Sequence, residues 1–301
     1  AGVALLVLFV ILELRPRRNP PLVEFSLFRD PRFTGASAVA FLGNWQFGAI
    51  LFFLTLYLQE ILLKSPLDTG LIFLTFSVPL VVLSPVGGRL VPKVGSQLLM
   101  AVGMALVGVG MVVFAFLDAS STVLLVIAGL IIAGLGQGFA YNISNTAGME
   151  AMPDAKAGVA SGVLQTARLM GIVIGLALSV ALFRGLENHE VIHRVDQAKG
   201  GAAQVTAQER REIRDQLSGS ADARAEIQEN LPVVRNQVNS IADDAFTKGL
   251  QAVMLLGAGL SFVAVWPALW GRRRRDPITP RQAHGFSPAH WHHPANTGPG
   301  A

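Results

Sequence analysis

Apolar residues run along this chain in blocks too long for the core of a soluble domain. Six stretches carry almost no charge: 35–61, 68–91, 97–117, 122–148, 157–183 and 247–270. A helix needs about 20 apolar residues to cross the hydrocarbon core of a bilayer. Each block therefore predicts one membrane-spanning helix. Residues 1–12, AGVALLVLFVIL, predict the end of a preceding one. The chain opens inside that run with no initiator Met and no charged leader segment, so it reads as part of a longer frame. Polar stretches separate the blocks: a linker at 13–34, one long loop at 184–246 and a tail at 271–301. Within the loop, Thr206 and Glu209 have the spacing of a capping box and predict a helix. A second helix is predicted within Asp222–Val238, the whole loop forming a solvated cap over one mouth of the bundle.

Composition strengthens this picture. Apolar residues make up 51% of the chain and charged ones 15%, where a soluble domain carries about 25% charge. Mean hydropathy is +0.49. Basic residues lie at alternate ends of the blocks: Arg15, Arg17, Arg18, Arg29 and Arg32 before the first, Arg89 and Lys93 after the second, Lys156 after the fourth, Arg272 to Arg275 after the sixth. The short loops on the other side hold only Lys64. Six crossings then satisfy the positive-inside rule with the C-terminus cytoplasmic. Trp266 and Trp270, next to the Arg run, fit interfacial anchors. A net charge of +4 placed beside apolar spans points to a membrane surface, not to nucleic acid. With no Cys there is neither a disulfide framework nor a thiolate metal site, and nothing in the sequence calls for a cofactor. The expected fold is an all-α membrane protein, a six-helix transmembrane bundle over 35–270 after a partial helix.

Small and polar residues inside the spans carry the next layer. Gly134 and Gly138, Gly158 and Gly162, and Gly171 and Gly175 are each four apart, a spacing that lets helices approach closely in lipid. Polar groups in a membrane are costly and tend to face a cavity or a partner. Gln137, Tyr141 and Asn145 lie at i, i+4 and i+8 in the fourth span, with Asn142 beside them; Ser161, Gln165 and Arg168 share a face of the fifth. Tyr141 and Gln165 are each 12 residues from Pro153, which places them at similar depth. Asn44 and Gln46 reach about the same level in the first full span. Arg168 is the one charge well inside a span, at a cost of about 2.5–3.5 kcal/mol for a helix centre. No Asp or Glu lies inside the six blocks; Glu60, Asp68, Asp118 and Glu150 stand at their ends. Asn44, Gln46, Gln137, Tyr141, Asn142, Asn145, Gln165 and Arg168 are candidates for lining a cavity, and no group in the spans titrates as proton coupling requires.

Residues 65–95, SPLDTGLIFLTFSVPLVVLSPVGGRLVPKVG, resemble a recurring element of the major facilitator superfamily: a helix followed by Gly-Arg-Leu-x-Asp-Arg-x-Gly in a tight cytoplasmic turn. Gly88, Arg89, Leu90 and Gly95 match, Lys93 stands for the second Arg, and Pro92 replaces the acid. In that family the carboxylate faces a helix N-terminus and helps latch one state; with Pro92 this latch is expected to be weakened. Stretches 25–62, 153–183 and 243–256 look like the first, fifth and last helices of the C-terminal half in the fourteen-span drug/proton antiporter branch. The resemblance implies two inverted three-helix repeats forming one wall of a central cavity, with the third and sixth full spans lying further out. It further implies proton-coupled efflux of small amphipathic molecules by alternating access, in a bacterial cytoplasmic membrane, with the titrating group in the N-terminal half.

One motif points elsewhere. His189-Glu190-Val191-Ile192-His193 fits HExxH, in which two imidazoles one helical turn apart share a zinc and the Glu acts as base. Such a site also needs a third ligand and a walled cavity. The surrounding segment is polar and lacks a core, and the motif falls beyond the end of a span. A chance match outweighs a membrane metalloprotease, and no metal is expected. His284, His290, His292 and His293 sit among Pro and Gly in the tail and read as a disordered end. A remnant or scaffold that no longer transports is the third reading.

Overall fold

A computed structural model describes residues 25–153, 156–198 and 232–270, with side chains described for 27–153, 156–186 and 243–269. The predicted segments at 1–12, at Thr206–Glu209 and in the tail lie outside the described residues. Six long helices follow a short 3-10 turn at Phe25–Arg29: α1 (Pro31–Leu56, continued by a π turn at Tyr57–Ile61), α2 (Pro66–Val94), α3 (Ser96–Phe114), α4 (Val123–Glu150), α5 (Ala157–Ala198) and α6 (Pro232–Trp270). All six contain a stretch long and apolar enough to span a membrane.

Local chemistry sets the ends. Asp30 caps α1 by accepting from the Arg32 N–H at 2.7 Å, with Pro31 in the first turn. Ser65 caps α2 by accepting from the Asp68 N–H, and Pro66 follows it. Proline fits there because the first turn has no partner for its missing N–H. α2 persists through Pro79, Pro85 and Pro92 to Val94. The reversal into α3 is Gly95 alone, at φ 89°, a left-handed value that favours glycine. Gly88, Arg89 and Lys93 are therefore helical and exposed, and the turn is tighter than the motif suggests.

The two halves of the bundle repeat one another. Phe76 and Leu80 of α2 lie against Gly134 and Gly138 of α4, running parallel; Phe41 and Trp45 of α1 lie against Gly171 and Gly175 of α5 in the same way. α3 packs along α4, α1 along α6, and α3 against α6. Exchanging α1–α3 for α4–α6 maps neighbours onto neighbours, as two inverted three-helix repeats require.

The α3–α4 seam is built on glycines seven apart. A Cβ at Gly136 would stand 2.5 Å from the Val107 nitrogen, and one at Gly103 would stand 2.7 Å from the Ala140 nitrogen. Gly110 and Gly129 repeat this one heptad away, against Ala133 and Phe114. Gly158 and Gly162 differ from the expectation: a Cβ there meets nothing within 4 Å. Their face of α5 is turned away from the other described helices. Within this half α3 buries Met104, Val107 and Met111 and exposes a face bearing Val102 and Val109, whereas α2 and α5 bury least.

Candidate functional site

Asn44, Gln46 and Gln137 lie between two apolar clusters. One cluster gathers Phe53, Tyr57, Phe114, Phe183 and Phe246 toward the end where α1 finishes. The other gathers Phe33, Met100, Met104, Ile143 and Leu164 toward the basic end, where α2 finishes near Arg89 and Lys93. Gln46 is fully buried and its Nε2 donates to the Gly257 carbonyl of α6 at 3.3 Å; Gln137 donates to the Gly43 carbonyl of α1 at 3.2 Å. Asn44 donates to Ala40 one turn back in its own helix at 2.8 Å. Gln46 and Gln137 thus tie α1 to α6 and α4 to α1 from inside. Both acceptors between helices belong to glycines, whose carbonyls no side chain shields.

A second polar group faces outward. Tyr141 and Asn145 of α4 and Gln165 of α5 are exposed, and Asn142 is half-buried. Arg168 of α5 reaches across to them. Its Nη2 donates to the Tyr141 carbonyl at 2.8 Å, and its guanidinium carbon stands 4.3 Å from the centre of the Tyr141 ring. That is within cation–π range. Only 7% of Arg168 is exposed, and its Nε–H is buried without a partner. The structure therefore brings Arg168 to Tyr141, leaves Asn142, Asn145 and Gln165 on the same two helices, and places Asn44, Gln46 and Gln137 elsewhere. The eight candidates share neither one face nor one level: Phe41 lies beside Gly171 on the parallel α1 and α5, so Gln46, five residues beyond Phe41, stands about 16 Å of helix rise from Gln165, six residues before Gly171. Counting residues from one turn gives no common depth across helices that start at different levels.

Outward from this polar group the same surface turns apolar. Ile131 and Leu124 of α4, and Leu169, Met170, Val173, Ile174 and Leu178 of α5, are exposed. Contacts that the sequence did not announce brace the bundle nearby. Trp45 Nε1 donates to Ser179 Oγ at 2.9 Å, joining α1 to α5. At the far end the Tyr57 hydroxyl donates to the Asp118 carbonyl at 2.7 Å and Gln251 Nε2 to the Leu117 carbonyl at 2.9 Å, so α1 and α6 both hold the α3–α4 connection. The signal for Tyr57 was a lone aromatic hydroxyl near a span end, which is too common to single out.

HEVIH falls on helical backbone, since α5 continues to Ala198, well past the apolar stretch that ends at Leu186. Its side chains lie outside the described residues. Among the described residues no group of three metal-ligating side chains is present.

Six apolar helices in two inverted triplets, with an intramembrane Arg facing a polar patch, are the architecture of a secondary-transporter half. The chain belongs to the Major Facilitator Superfamily, whose family profile matches residues 1–176. It is an integral, multi-pass membrane protein. It is 28% identical over 275 residues to the multidrug resistance protein Stp of Mycobacterium tuberculosis, covering 90% of this chain and 50% of that protein. It is 32% identical over 183 residues to the quinolone resistance protein NorB of Staphylococcus aureus, covering 60% of this chain and 39% of that one. The chain spans about half the length of the curated relatives it matches.

Proposed function

We propose that this chain is the C-terminal half of a proton-coupled drug efflux transporter of the fourteen-span branch, acting in a bacterial cytoplasmic membrane by alternating access. The observation that carries the reading is the exposed patch of Tyr141, Asn142, Asn145 and Gln165 around the buried Arg168, set in a face that is otherwise apolar. Such a face suits small amphipathic molecules: apolar surface takes the body of the substrate and a few placed polar groups orient it. The names of Stp and NorB support export of drugs, quinolones among them in the case of NorB. The basic ends support a cytoplasmic C-terminus. The carboxylates of the described spans, Glu60, Asp68, Glu150, Asp243 and Asp244, all stand at span ends, which supports a titrating group on the other half of the transporter. The chain transports rather than transforms its substrate, so it is not an enzyme.

The test uses a bacterium lacking its own efflux pumps. Residues 1–301 are expressed alone and, separately, in frame with the preceding half. Accumulation of a quinolone and of a lipophilic dye is followed with and without a protonophore. The joined protein should lower accumulation of at least one of them until the protonophore is added, and residues 1–301 alone should not. Resistance conferred by residues 1–301 alone would overturn the half-transporter reading and favour a self-sufficient unit.

A further inference from the structure

The carbonyl of Tyr141 faces more donors than it has lone pairs. A carbonyl oxygen has two. The α-helical register of α4 assigns this one to the Asn145 N–H. The Ser144 hydroxyl donates to the same oxygen at 3.0 Å, and Arg168 Nη2 donates to it at 2.8 Å. Three donors on two lone pairs weaken the bond of the helical ladder, and a Ser hydroxyl that bonds back into its own helix often bends it. Arg168 also lays its guanidinium over the ring of the same residue, 4.3 Å from its centre. One side chain of α5 thus grips Tyr141 by backbone and by ring.

What lies on either side of Tyr141 gives that grip its consequence. Toward Val123, α4 meets backbone: Gly136 and Ala140 face α3 at Val107 and Gly103, and Gly134 and Gly138 face α2 at Phe76 and Leu80. This backbone seam ends at Ala140. Toward Glu150 the glycine contacts are with side chains, Ile143 against Gly87 and Leu164 against Gly148, and side chains can turn. Arg168 itself is rooted, since Gly171, three residues on, lies against the Phe41 backbone of α1. The loosened rung therefore falls where the fixed part of α4 ends, and a fixed residue of α5 holds it.

We propose that Arg168 is a positioning residue: it makes a joint in α4 at Tyr141–Asn145 and sets the angle at which the polar end of that helix, Tyr141 to Glu150, stands to the rest of the bundle. This rests on the transport reading above and adds to it the residue that orients Tyr141, Asn142 and Asn145. Arg168 acts through α4, because its own surface is nearly closed. An Arg suits the task where a Lys does not: a planar guanidinium covers a ring and donates from its edge at once.

The experiment reads the carbonyl. The chain has two tyrosines, Tyr57 and Tyr141. Carbon-13 at the tyrosine carbonyl therefore gives two signals from the 301-residue chain in detergent, and Tyr57→Phe assigns them. Hydrogen bonds to a carbonyl oxygen move its carbon downfield. Tyr57 accepts from the Leu62 N–H at 3.1 Å and serves as the helical reference. The Tyr141 signal should lie downfield of it; a position level with Tyr57 or upfield of it would overturn the proposal with no Arg168 variant made. In Arg168→Met the Tyr141 signal should move upfield while Tyr57 stays. The Asn145 amide, read with nitrogen-15 asparagine and assigned by Asn145→Gln, should then exchange about fivefold more slowly, the scale of about 1 kcal/mol for one net hydrogen bond, because it regains its acceptor. Ser144→Ala should act in the same direction by less, and it carries the test if Arg168→Met does not fold. Removing a merely structural Arg loosens what it touched, so faster or unchanged exchange at Asn145 rejects the joint. In the joined protein Arg168→Met should lower efflux of an anionic and of a cationic dye by the same factor, because a residue acting through α4 does not read the charge of the cargo. Unequal factors would make Arg168 a binding residue and reject the positioning role. Slower exchange at Asn145 with no efflux from the joined parent would leave the joint standing while the transport reading fails. Efflux with no change at Tyr141 or Asn145 would do the reverse.

Discussion

Two sets of polar side chains stand within the spans of this bundle and live in opposite surroundings. Gln46 and Gln137 are buried between apolar clusters, and each spends an N–H on a glycine carbonyl of another helix. Tyr141, Asn145 and Gln165 are exposed, and the one bond that joins α4 to α5 there comes from Arg168. The inner set holds helices at fixed distances, since a hydrogen bond in a water-free interior has no competing solvent. The outer set leaves donors and acceptors unclaimed at an exposed face, and the inner set leaves Gln46 Oε1 unclaimed in the interior. A polar residue in a membrane span is thus no sign of a binding site until its face is known. Gln137 and Tyr141 stand one turn apart on the same side of α4, yet the first is buried and the second exposed.

The comparison breaks first at its rigid side. Gly136→Leu sets a side chain against the Val107 nitrogen and the Gly103 carbonyl, backbone atoms that cannot turn away. Overpacking costs about 1–3 kcal/mol even where side chains can yield, so this variant should cost more and lose most of its folded protein in detergent. Gly158→Leu, where nothing stands within 4 Å, should elute and melt as the parent does. Equal losses in the two would mean that the seam is not what holds α3 to α4.

A smaller effect separates the two polar sets directly. Gln46→Ala and Gln137→Ala each leave a cavity and remove a bond between helices, and each should lower stability by about 1–3 kcal/mol. Asn145→Ala and Gln165→Ala should stay within about 0.5 kcal/mol, as exposed substitutions do. Denaturation of the purified variants in detergent reads all four. In the joined transporter the order should invert for transport. Arg168→Ala should lower the initial efflux rate by about tenfold or more, the scale of 1.4 kcal/mol in barrier height, and should lower the amount of folded protein less.

Labelling sharpens the same contrast. Cys at 142, 145 or 165 in the joined protein should react with a small polar thiol reagent added from the cytoplasmic side, more slowly when a transported substrate is present. Met104→Cys and Met111→Cys should resist, because both methionines are fully buried. If 142, 145 and 165 resist as well, the outer set is packed against the other half and is no substrate surface.

How far the sequence could be read follows from the physics of each feature. The spans were legible because lipid forces every backbone bond inside a helix; 68–91 was expected and Pro66–Val94 is found. Asp30-Pro31 and Ser65-Pro66 announce helix starts by themselves. Helix facing was not legible, because blocks this apolar show no polar stripe to orient them, which is why the eight polar candidates were taken together. The α3–α4 seam did leave a trace in Gly103 with Gly110 and Gly129 with Gly136, at a spacing of seven. Spacing of four drew attention instead, and it served for Gly134 with Gly138 and Gly171 with Gly175 but not for Gly158 with Gly162. Arg168 was legible as a cost. That its Nε stays unpartnered could only be seen in place.

The smallest effect concerns an acid outside the spans whose titration the fold perturbs. Asp118 lies in the α3–α4 connection, outside the spans and exposed. Its carboxylate accepts from the Ser120 hydroxyl at 2.8 Å, the Ser121 hydroxyl at 3.0 Å and the Ser120 N–H at 2.8 Å. The Ser120 side chain, then Ser121, hold it below the usual carboxylate range. A depressed value means that the fold favours the ionised form. The stabilisation is then complete above the unfolded value of about 3.9 and is lost as pH falls through the folded one. Between pH 5 and 8 Asp118 should therefore contribute no slope. Below about pH 4 the parent should lose stability that Asp118→Asn does not lose, by a margin kept small by solvent screening of an exposed group. Thermal midpoints of both proteins in detergent, taken from pH 7 downward, check this. The efflux–pH profile of the joined protein should be the same with Asp118→Asn, because the carboxylate stays ionised wherever transport is measured. A shifted profile would place a coupling proton on this half, at the end of the bundle away from Arg168, and would move the titrating group out of the half to which it is assigned.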